Sequence, residues 1–223
     1  MIKYADQFIK EEILNLLVWD TRVDANDINI EVNKGVVQLS GAVSTYTAKN
    51  AAEKNAYRVG GVAKVENLIE VELLPEIAIP LDNEITNMIE NKLRWDDQID
   101  ASGIGVETFK GNVTLTGNVK SFWEKSLAKN LASATKGVRH VKNNLAVVVG
   151  KTYADSDIED DIKKAFKRNV LIVAGKIDVS VEDGIAHLTG AVPVYSMKEE
   201  AFNVAMMTGG IVDVKDDITI ELV

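Results

Sequence analysis

One seven-residue pattern occurs three times in this chain and constrains its fold more than any other feature. The pattern is G-x-V-x-L-x-G or a close variant, and it spans residues 35–41, 111–117 and 184–190. A further glycine follows the end of each copy by twenty residues, so the spacing extends beyond the motif. Recurrence about every 75 residues indicates one small supersecondary unit used three times. The motif glycines are Gly35, Gly41, Gly61, Gly111, Gly117, Gly137, Gly184, Gly190 and Gly210.

The apolar periodicity of the first repeat predicts the element order αββαβ. Apolar side chains at steps of three and four residues predict a helix over 8–17, and alternating side chains over 28–39 predict a β-hairpin. A second helix is predicted from about Ser44, its N-cap, to residue 59, and a third strand over 65–71. We therefore expect an α+β fold of three tandem αββαβ modules, each with two helices packed on one face of a three-stranded mixed sheet.

The motif glycines are interpreted as structural. The first glycine of each copy suits the positive φ of a short hairpin, the second suits a strand leaving the sheet, and the third suits a helix end. No copy contains G-x-G-x-x-G or the G-x-x-x-x-G-K-[ST] of a phosphate-binding loop. A phosphate-binding role for these glycines is therefore disfavoured.

The repeat spacing also predicts domain boundaries. Residues 1–74, 82–149 and 155–223 are expected to form the three repeats, joined by short linkers at 75–81 and 150–154. Such short connections hold neighbouring modules close to each other.

Composition argues against several function classes. The chain has no cysteine, which excludes disulfides, thiolate metal sites and a cysteine nucleophile. The two histidines, His140 and His187, occupy different positions within their repeats and do not form a shared site. The acidic runs carry no recognisable base, nucleophile or oxyanion donor beside them. We expect a non-enzymatic protein without catalytic residues, metal or cofactor.

The N-terminal residues lack a basic region followed by an apolar one, and no later stretch is long and apolar enough to span a bilayer. Read as it stands, the sequence predicts a cytoplasmic protein or one held peripherally on a membrane. A periplasmic location would require that a signal peptide had been removed.

The residues after each helix complete a recognisable pattern. They read G-V-A-K-V-E-N at 61–67, G-V-R-H-V-K-N at 137–143 and G-I-V-D-V-K-D at 210–216. An αββαβ module with G-x-V-x-L-x-G before an alanine-rich helix and G-V-x-x-V-x-N after it resembles the BON domain family, named for the bacterial OsmY and nodulation proteins. The resemblance covers nearly the whole chain as three tandem copies. It departs from the usual pattern at Ala186 and Asp216, in the third copy.

This resemblance implies phospholipid or envelope association without known catalysis. Most members of the family carry a signal peptide or lipoprotein tag and work in the periplasm or at a membrane. Some act as chaperone-like or channel-associated modules. The family therefore suggests a role in osmotic or envelope stress.

Charge distinguishes the repeats from one another. The whole chain carries a formal net charge of -9, yet residues 110–151 contain eight Lys or Arg and a single acid. On a helix turning ~100° per residue, Lys125, Lys129 and Lys136 fall within about 40° of one another and are expected to form one row. The predicted lipid- or anion-binding residues are Lys120, Trp123, Lys125, Lys129, Lys136, Arg139, His140 and Lys142.

Two neighbouring aromatic residues receive different predictions. Phe122 has aromatic counterparts at Tyr46 and Tyr195, so it is expected to pack within the fold. Trp123 has Thr47 and Ser196 as counterparts. It is expected either to face a membrane interface beside the lysines or to pack against a neighbouring repeat.

Three functional readings follow from the basic segment. The favoured one is binding of an anionic phospholipid surface through the basic face of the second repeat. The alternative is a protein interaction scaffold or chaperone-like protein whose basic face docks on acidic partners, or on the acidic flanks 78–109 and 152–183 of the chain. Nucleic acid is disfavoured because the chain is acidic and lacks a platform of several stacking aromatics. The sequence does not predict an oligomeric state.

Overall fold

The computed structural model describes residues 5–72, 79–151, 153–172 and 176–221, which form three modules of one design. Module 1 contains α1 (Asp6–Trp19), β1 (Ile28–Asn33), β2 (Val36–Val43), α2 (Tyr46–Tyr57), β3 (Lys64–Asn67) and β4 (Glu70–Val71). Module 2 contains α3 (Asp82–Trp95), a 3₁₀ turn (Ala101–Gly103), β5 (Ile104–Phe109), β6 (Asn112–Val119), α4 (Phe122–Ser133), β7 (His140–Asn143) and β8 (Ala146–Val147). Module 3 contains α5 (Asp155–Arg168), β9 (Lys176–Glu182), β10 (Ile185–Val192), α6 (Tyr195–Met206) and β11 (Asp213–Ile220).

Each module has a mixed sheet with its two helices on one face, so the predicted fold class is confirmed. The first two strands pair antiparallel, with Ile30 opposite Leu39 in module 1, and the third strand runs parallel to the second. Alternate strand residues such as Leu39 point inward and meet Ile9, Ile13 and Leu17 of α1. Small alanines on the second helix let it approach the sheet closely, which is why an alanine-rich helix follows each motif.

The hairpin of each module is held by a carboxylate that sequence analysis did not identify. Asp82, the first residue of α3, accepts hydrogen bonds from the backbone N–H groups of Lys110 and Gly111, at 2.7 and 2.9 Å. Both turn residues have positive φ, which favours glycine at the second position as predicted. The equivalent carboxylates of modules 1 and 3 are Asp6 and Asp155.

The second motif glycine has a different role from the predicted one. Gly41 lies inside β2 and not at the point where the strand leaves the sheet. Its φ is 108°, and a Cβ atom there would lie 1.9 Å from the carbonyl oxygen of Asp27. The glycine is therefore required by a close backbone approach between two paired strands.

The third strand is interrupted in modules 1 and 2 but continuous in module 3. The amide of Asn67 donates to the carbonyl oxygen of Lys49 on α2 at 3.0 Å, and its oxygen accepts from the N–H of Ile69. Asp216 replaces this asparagine in module 3 and cannot donate, so its carboxylate pairs with Lys198 at 3.4 Å. This pairing explains how the fold accommodates the atypical third copy.

The predicted limits of the second helix need correction. In module 1, α2 begins at Tyr46 with Thr45 as its N-cap, because the Thr45 hydroxyl accepts from the N–H of Ala48 at 3.0 Å. Ser44 is therefore not the cap, and the helix ends at Tyr57. Of the predicted linkers, residues 75–78 and Thr152 lie outside the described residues.

Candidate functional site

The predicted lysine row on α4 is shorter than expected. Lys125 and Lys129 lie on this helix, but α4 ends at Ser133, so Lys136 belongs to the loop that follows. The prediction that Lys136 continues the helical row is wrong, because the chain leaves helical geometry before the glycine that follows Lys136. Lys136 is exposed and precedes Gly137, which lies against Pro80 and Ile85 at the start of α3.

Lys120 forms an ion pair with Asp100 of its own module. Its Nζ atom lies 2.8 Å from Oδ2 of Asp100, and both side chains are exposed. The hydrogen bond and charge of Asp100 raise the pKa of Lys120, while the same contact lowers the pKa of Asp100. This part of the basic segment therefore contacts the acidic flank that precedes it in sequence.

Phe122 and Trp123 pack against module 3. The ring of Phe122 is buried and meets Phe202 edge-on, with ring centroids 6.2 Å apart. Phe122 was predicted only to pack within the fold. It is buried, and its partners belong to module 3 and not to its own module. Trp123 is partly buried against the same module 3 core, so of its two predicted environments the neighbouring repeat is the one observed.

The remaining basic residues include a group at one end of module 2. Arg139 lies over the hairpin turn, where its N–H donates to the carbonyl oxygen of Gly111 at 2.9 Å. The Lys110 ammonium lies 5.3 Å from the centre of the Phe109 ring. We call this end the basic tip and define it by the residues Leu81, Phe109, Lys110, Lys136 and Arg139.

Two apolar side chains of the basic tip face solvent. Phe109 is 70% exposed, and Leu81, which precedes α3, is 66% exposed. An exposed apolar pair among three cations is an amphipathic surface. Neither Phe109 nor Leu81 was identified from the sequence, although Phe109 next to Lys110 at a hairpin turn was a usable signal.

The equivalent ends of modules 1 and 3 lack the combination of an exposed aromatic ring with three cations. Asn33 and Lys34 replace the Phe109–Lys110 pair in module 1, and Glu182 and Asp183 replace it in module 3. The positions of Lys136 and Arg139 carry no charge in either module. They hold Gly60 and Ala63 in module 1 and Gly209 and Val212 in module 3.

His140 and Lys142 lie on β7 and point away from the module core, whereas Val141 between them is buried. His140 contacts the ring of Tyr46 in module 1, so it takes part in a contact between modules. Among the described residues, no group of three or more His, Asp or Glu side chains is arranged to hold a metal ion.

Comparison with known proteins identifies the modules. The family model for the BON domain matches three stretches, residues 5–72, 81–149 and 154–221. The chain belongs to the BON domain family. It is 32% identical to Osmotically-inducible protein Y of Escherichia coli over 143 residues, which cover 63% of this chain and 71% of that protein.

Two further relatives share similar stretches. Outer membrane lipoprotein DolP of Haemophilus influenzae is 29% identical over 61% of this chain and 71% of its own length. The 21 kDa hemolysin of Actinobacillus pleuropneumoniae is 28% identical over the same shares of the two chains. In the part of this chain that the structure describes, no helix has the length and apolar character needed to cross a membrane.

The three BON modules contact one another head to tail and form a closed three-module ring. In each contact, the aromatic residue that begins the second helix of one module packs on the next module, and module 3 closes on module 1. The three contacts are Tyr46 with His140, Phe122 with Phe202 and Tyr195 with Tyr57, with ring centroids 6.3, 6.2 and 4.0 Å apart. An ion pair between Lys54 and Glu199, at 3.1 Å, adds to the closing contact.

Burial at these contacts affects the tyrosines. Burial raises the pKa of Tyr195 above its ordinary value of 10.0, and the nearby carboxylate of Glu199 raises it further. The pKa of Tyr46 is raised by burial and by the carboxylate of Glu53. Both tyrosines therefore stay neutral hydrogen-bonding groups over the physiological range.

Proposed function

We propose that this BON protein is a non-enzymatic component of the bacterial cell envelope that docks on anionic phospholipid through the basic tip. The observation that carries the proposal is the exposed Phe109 beside Lys110 and Arg139, a combination that the two other modules lack. Membrane-interface segments typically pair apolar or aromatic side chains with Lys and Arg in this way.

The relatives support an envelope location. One is named an outer membrane lipoprotein, and another is named for its induction by osmotic conditions. The cytoplasmic location expected from the N-terminal residues finds no support among these names. The proposed attachment is peripheral, through side chains of module 2 that face solvent.

The basic tip revises the surface predicted from the sequence. Lys136 and Arg139 remain in the proposed site and are joined by Lys110, Phe109 and Leu81. Lys120 and Trp123 lie outside it, because Lys120 is paired with Asp100 and Trp123 packs on module 3.

Two carboxylates near the basic tip accept hydrogen bonds from backbone N–H groups. Asp82 accepts from the hairpin N–H groups, and Glu84 accepts from the N–H of Leu81 at 2.8 Å. Their charge reduces the attraction of the tip for anions without cancelling it. Three cations at ~1 kcal/mol each and partial burial of Phe109 at ~2 kcal/mol correspond to a dissociation constant of about 0.1–1 mM. The proposed attachment is therefore weak and reversible.

Vesicle co-sedimentation tests the proposal. The native protein is compared with Lys136→Glu/Arg139→Glu on phosphatidylglycerol-containing and on neutral phosphatidylcholine vesicles, at low and physiological salt. Lys125→Glu/Lys129→Glu is the matched control, because it reverses two charges on α4 of the same module, away from the basic tip. We expect salt-sensitive binding to the anionic vesicles that the tip variant loses and the control variant keeps.

Other outcomes contradict the proposal in different ways. Loss of binding only in the control variant would return the lipid site to the helical face of α4. Absence of vesicle binding at either salt would favour the alternative, in which the same cations dock on an acidic protein.

A further inference from the structure

The second helices of the three BON modules converge on a polar cleft that the proposed membrane function does not use. The cleft has a volume of about 560 Å³ and is lined by side chains from α2, α4 and α6. Junctions between domains are common positions for small-molecule sites, because several elements contribute side chains there. The cleft exists only because the three-module ring is closed.

One equivalent position of the three helices presents three different chemical groups to this cleft. Glu53 on α2, Lys129 on α4 and Phe202 on α6 occupy the same place in their modules, and all three line the cleft. The ring thus brings one carboxylate, one ammonium group and one aromatic ring to a shared space. Differences between otherwise equivalent copies indicate where repeats have specialised.

The other charges of the cleft are neutralised by pairing. Lys54 pairs with Glu199 at 3.1 Å, and Lys198 pairs with Asp216 at 3.4 Å. In the described ranges of the chain, neither Glu53 nor Lys129 forms an ion pair.

Glu53 is held in the wall of the cleft by a hydrogen bond. Its carboxylate accepts a hydrogen bond from the amide of Asn67 at 3.1 Å, which orients the group without neutralising it. Its negative charge contributes, after burial, to the raised pKa of Tyr46, another residue of the cleft wall. The cleft therefore presents one uncompensated anion and one uncompensated cation.

We infer that this cleft binds a small zwitterion of the amino-acid type. Its ammonium group contacts Glu53, its carboxylate contacts Lys129, and its apolar side chain packs on Phe202. Charge-assisted hydrogen bonds of this kind are the stronger ones, and partial enclosure by the three helices strengthens them further.

The probe for this inference is L-phenylalanine, followed through the indole N–H signal of Trp123 in ¹H–¹⁵N spectra. Trp123 lines the cleft, whereas Trp19 and Trp95 lie on exposed helix ends and serve as internal references. Hydrocinnamate lacks the amine of the probe, and phenethylamine lacks its carboxylate. We expect both analogues to bind about tenfold more weakly than L-phenylalanine.

Substitution of Lys129 and of Glu53 tests which group of the ligand each residue contacts. Lys129→Gln should weaken the binding of L-phenylalanine about tenfold and leave that of phenethylamine unchanged, and Glu53→Gln should do the converse with hydrocinnamate. The exchange variant Glu53→Lys/Lys129→Glu should bind L-phenylalanine more tightly than either single variant, since both charges remain available. Lys125→Gln is the matched control, because Lys125 is on α4 but does not line the cleft.

The expected pattern supports the inference whether or not the protein binds vesicles. The inference is overturned if millimolar L-phenylalanine leaves the Trp123 signal unmoved. It is equally overturned if the three compounds bind alike, or if Lys129→Gln behaves like Lys125→Gln. Thermal unfolding of each variant, compared with the native chain, verifies that the three-module ring is intact.

Discussion

Tyr57 of module 1 and Tyr195 of module 3 stack face to face, with ring centroids 4.0 Å apart and ring planes 12° from parallel. The Tyr57 hydroxyl also accepts from the N–H of Val65 at 3.2 Å, which fixes its position against the edge of its own sheet. This contact joins the first module to the last and closes the three-module ring. The stability of the two terminal modules is therefore coupled.

Removing one partner of this stack tests the coupling. Tyr195→Ala should lower the free energy of unfolding by about 2 kcal/mol, because it removes the stacking and the apolar burial of a half-buried ring. Urea unfolding monitored by circular dichroism measures the change. Phe109→Ala, which truncates an exposed ring, should change stability by less than about 0.5 kcal/mol. Equal effects of the two substitutions would contradict the stack as a stabilising contact.

The raised pKa of Tyr195 predicts how the stack responds to alkaline pH. Because the folded-state pKa lies above the ordinary value of 10.0, the neutral hydroxyl contributes stability that is complete below that value. This contribution is lost as pH rises through the folded-state pKa. The native protein should therefore lose stability more steeply above about pH 10 than Tyr195→Phe, which keeps the ring and lacks the ionisable group. Identical alkaline profiles of the two proteins would refute this assignment.

The module design could be predicted from the sequence because its signals are local. The motif glycines, the alternation of strands and the alanines of the second helix each report on one element and its neighbours. The contacts between modules could not be predicted in the same way. The aromatic residue at the position of Phe122 contacts a neighbouring module in every copy, although its partner differs from one contact to the next. Recurrence alone does not distinguish packing within a module from packing between modules.

The hairpin carboxylates provide a test of module stability. Asp82→Ala removes the acceptor for two turn N–H groups and should lower the free energy of unfolding by about 2 kcal/mol. Asp82→Asn should lose less, because its remaining amide oxygen still accepts one of the two bonds. Thermal unfolding of the two variants against the native chain measures the difference. A larger loss for Asp82→Asn than for Asp82→Ala would be inconsistent with the acceptor role.

The Lys120–Asp100 ion pair is expected to have little effect on folding. Both side chains are exposed, so solvent and salt screen their attraction, and Lys120→Met should leave the unfolding midpoint nearly unchanged. The same variant should keep most of the vesicle binding of the native protein, since Lys120 lies outside the basic tip. A marked drop in vesicle binding would return Lys120 to the lipid surface predicted from the sequence.

The basic tip was only partly predictable. The excess of Lys and Arg in residues 110–151 pointed to module 2, but the helical projection assigned Lys136 to a row that the end of α4 interrupts. Phe109 and Leu81 come from segments distant in sequence from Arg139. They meet only because the hairpin turn and the start of α3 lie at the same end of the module. Such a surface depends on tertiary structure, and the spacing of residues along the sequence does not show which distant segments come together.

Docking through the basic tip can be tested most directly by labelling it. The chain contains no cysteine, so a polarity-sensitive fluorophore can be attached at Phe109→Cys alone. Asn33→Cys and Glu182→Cys place the same label at the equivalent hairpin positions of modules 1 and 3. On adding phosphatidylglycerol vesicles, the account predicts a blue-shifted emission for the label at 109, reversed by salt, and none at 33 or 182. An unshifted label at 109, or equal shifts at all three positions, would contradict it.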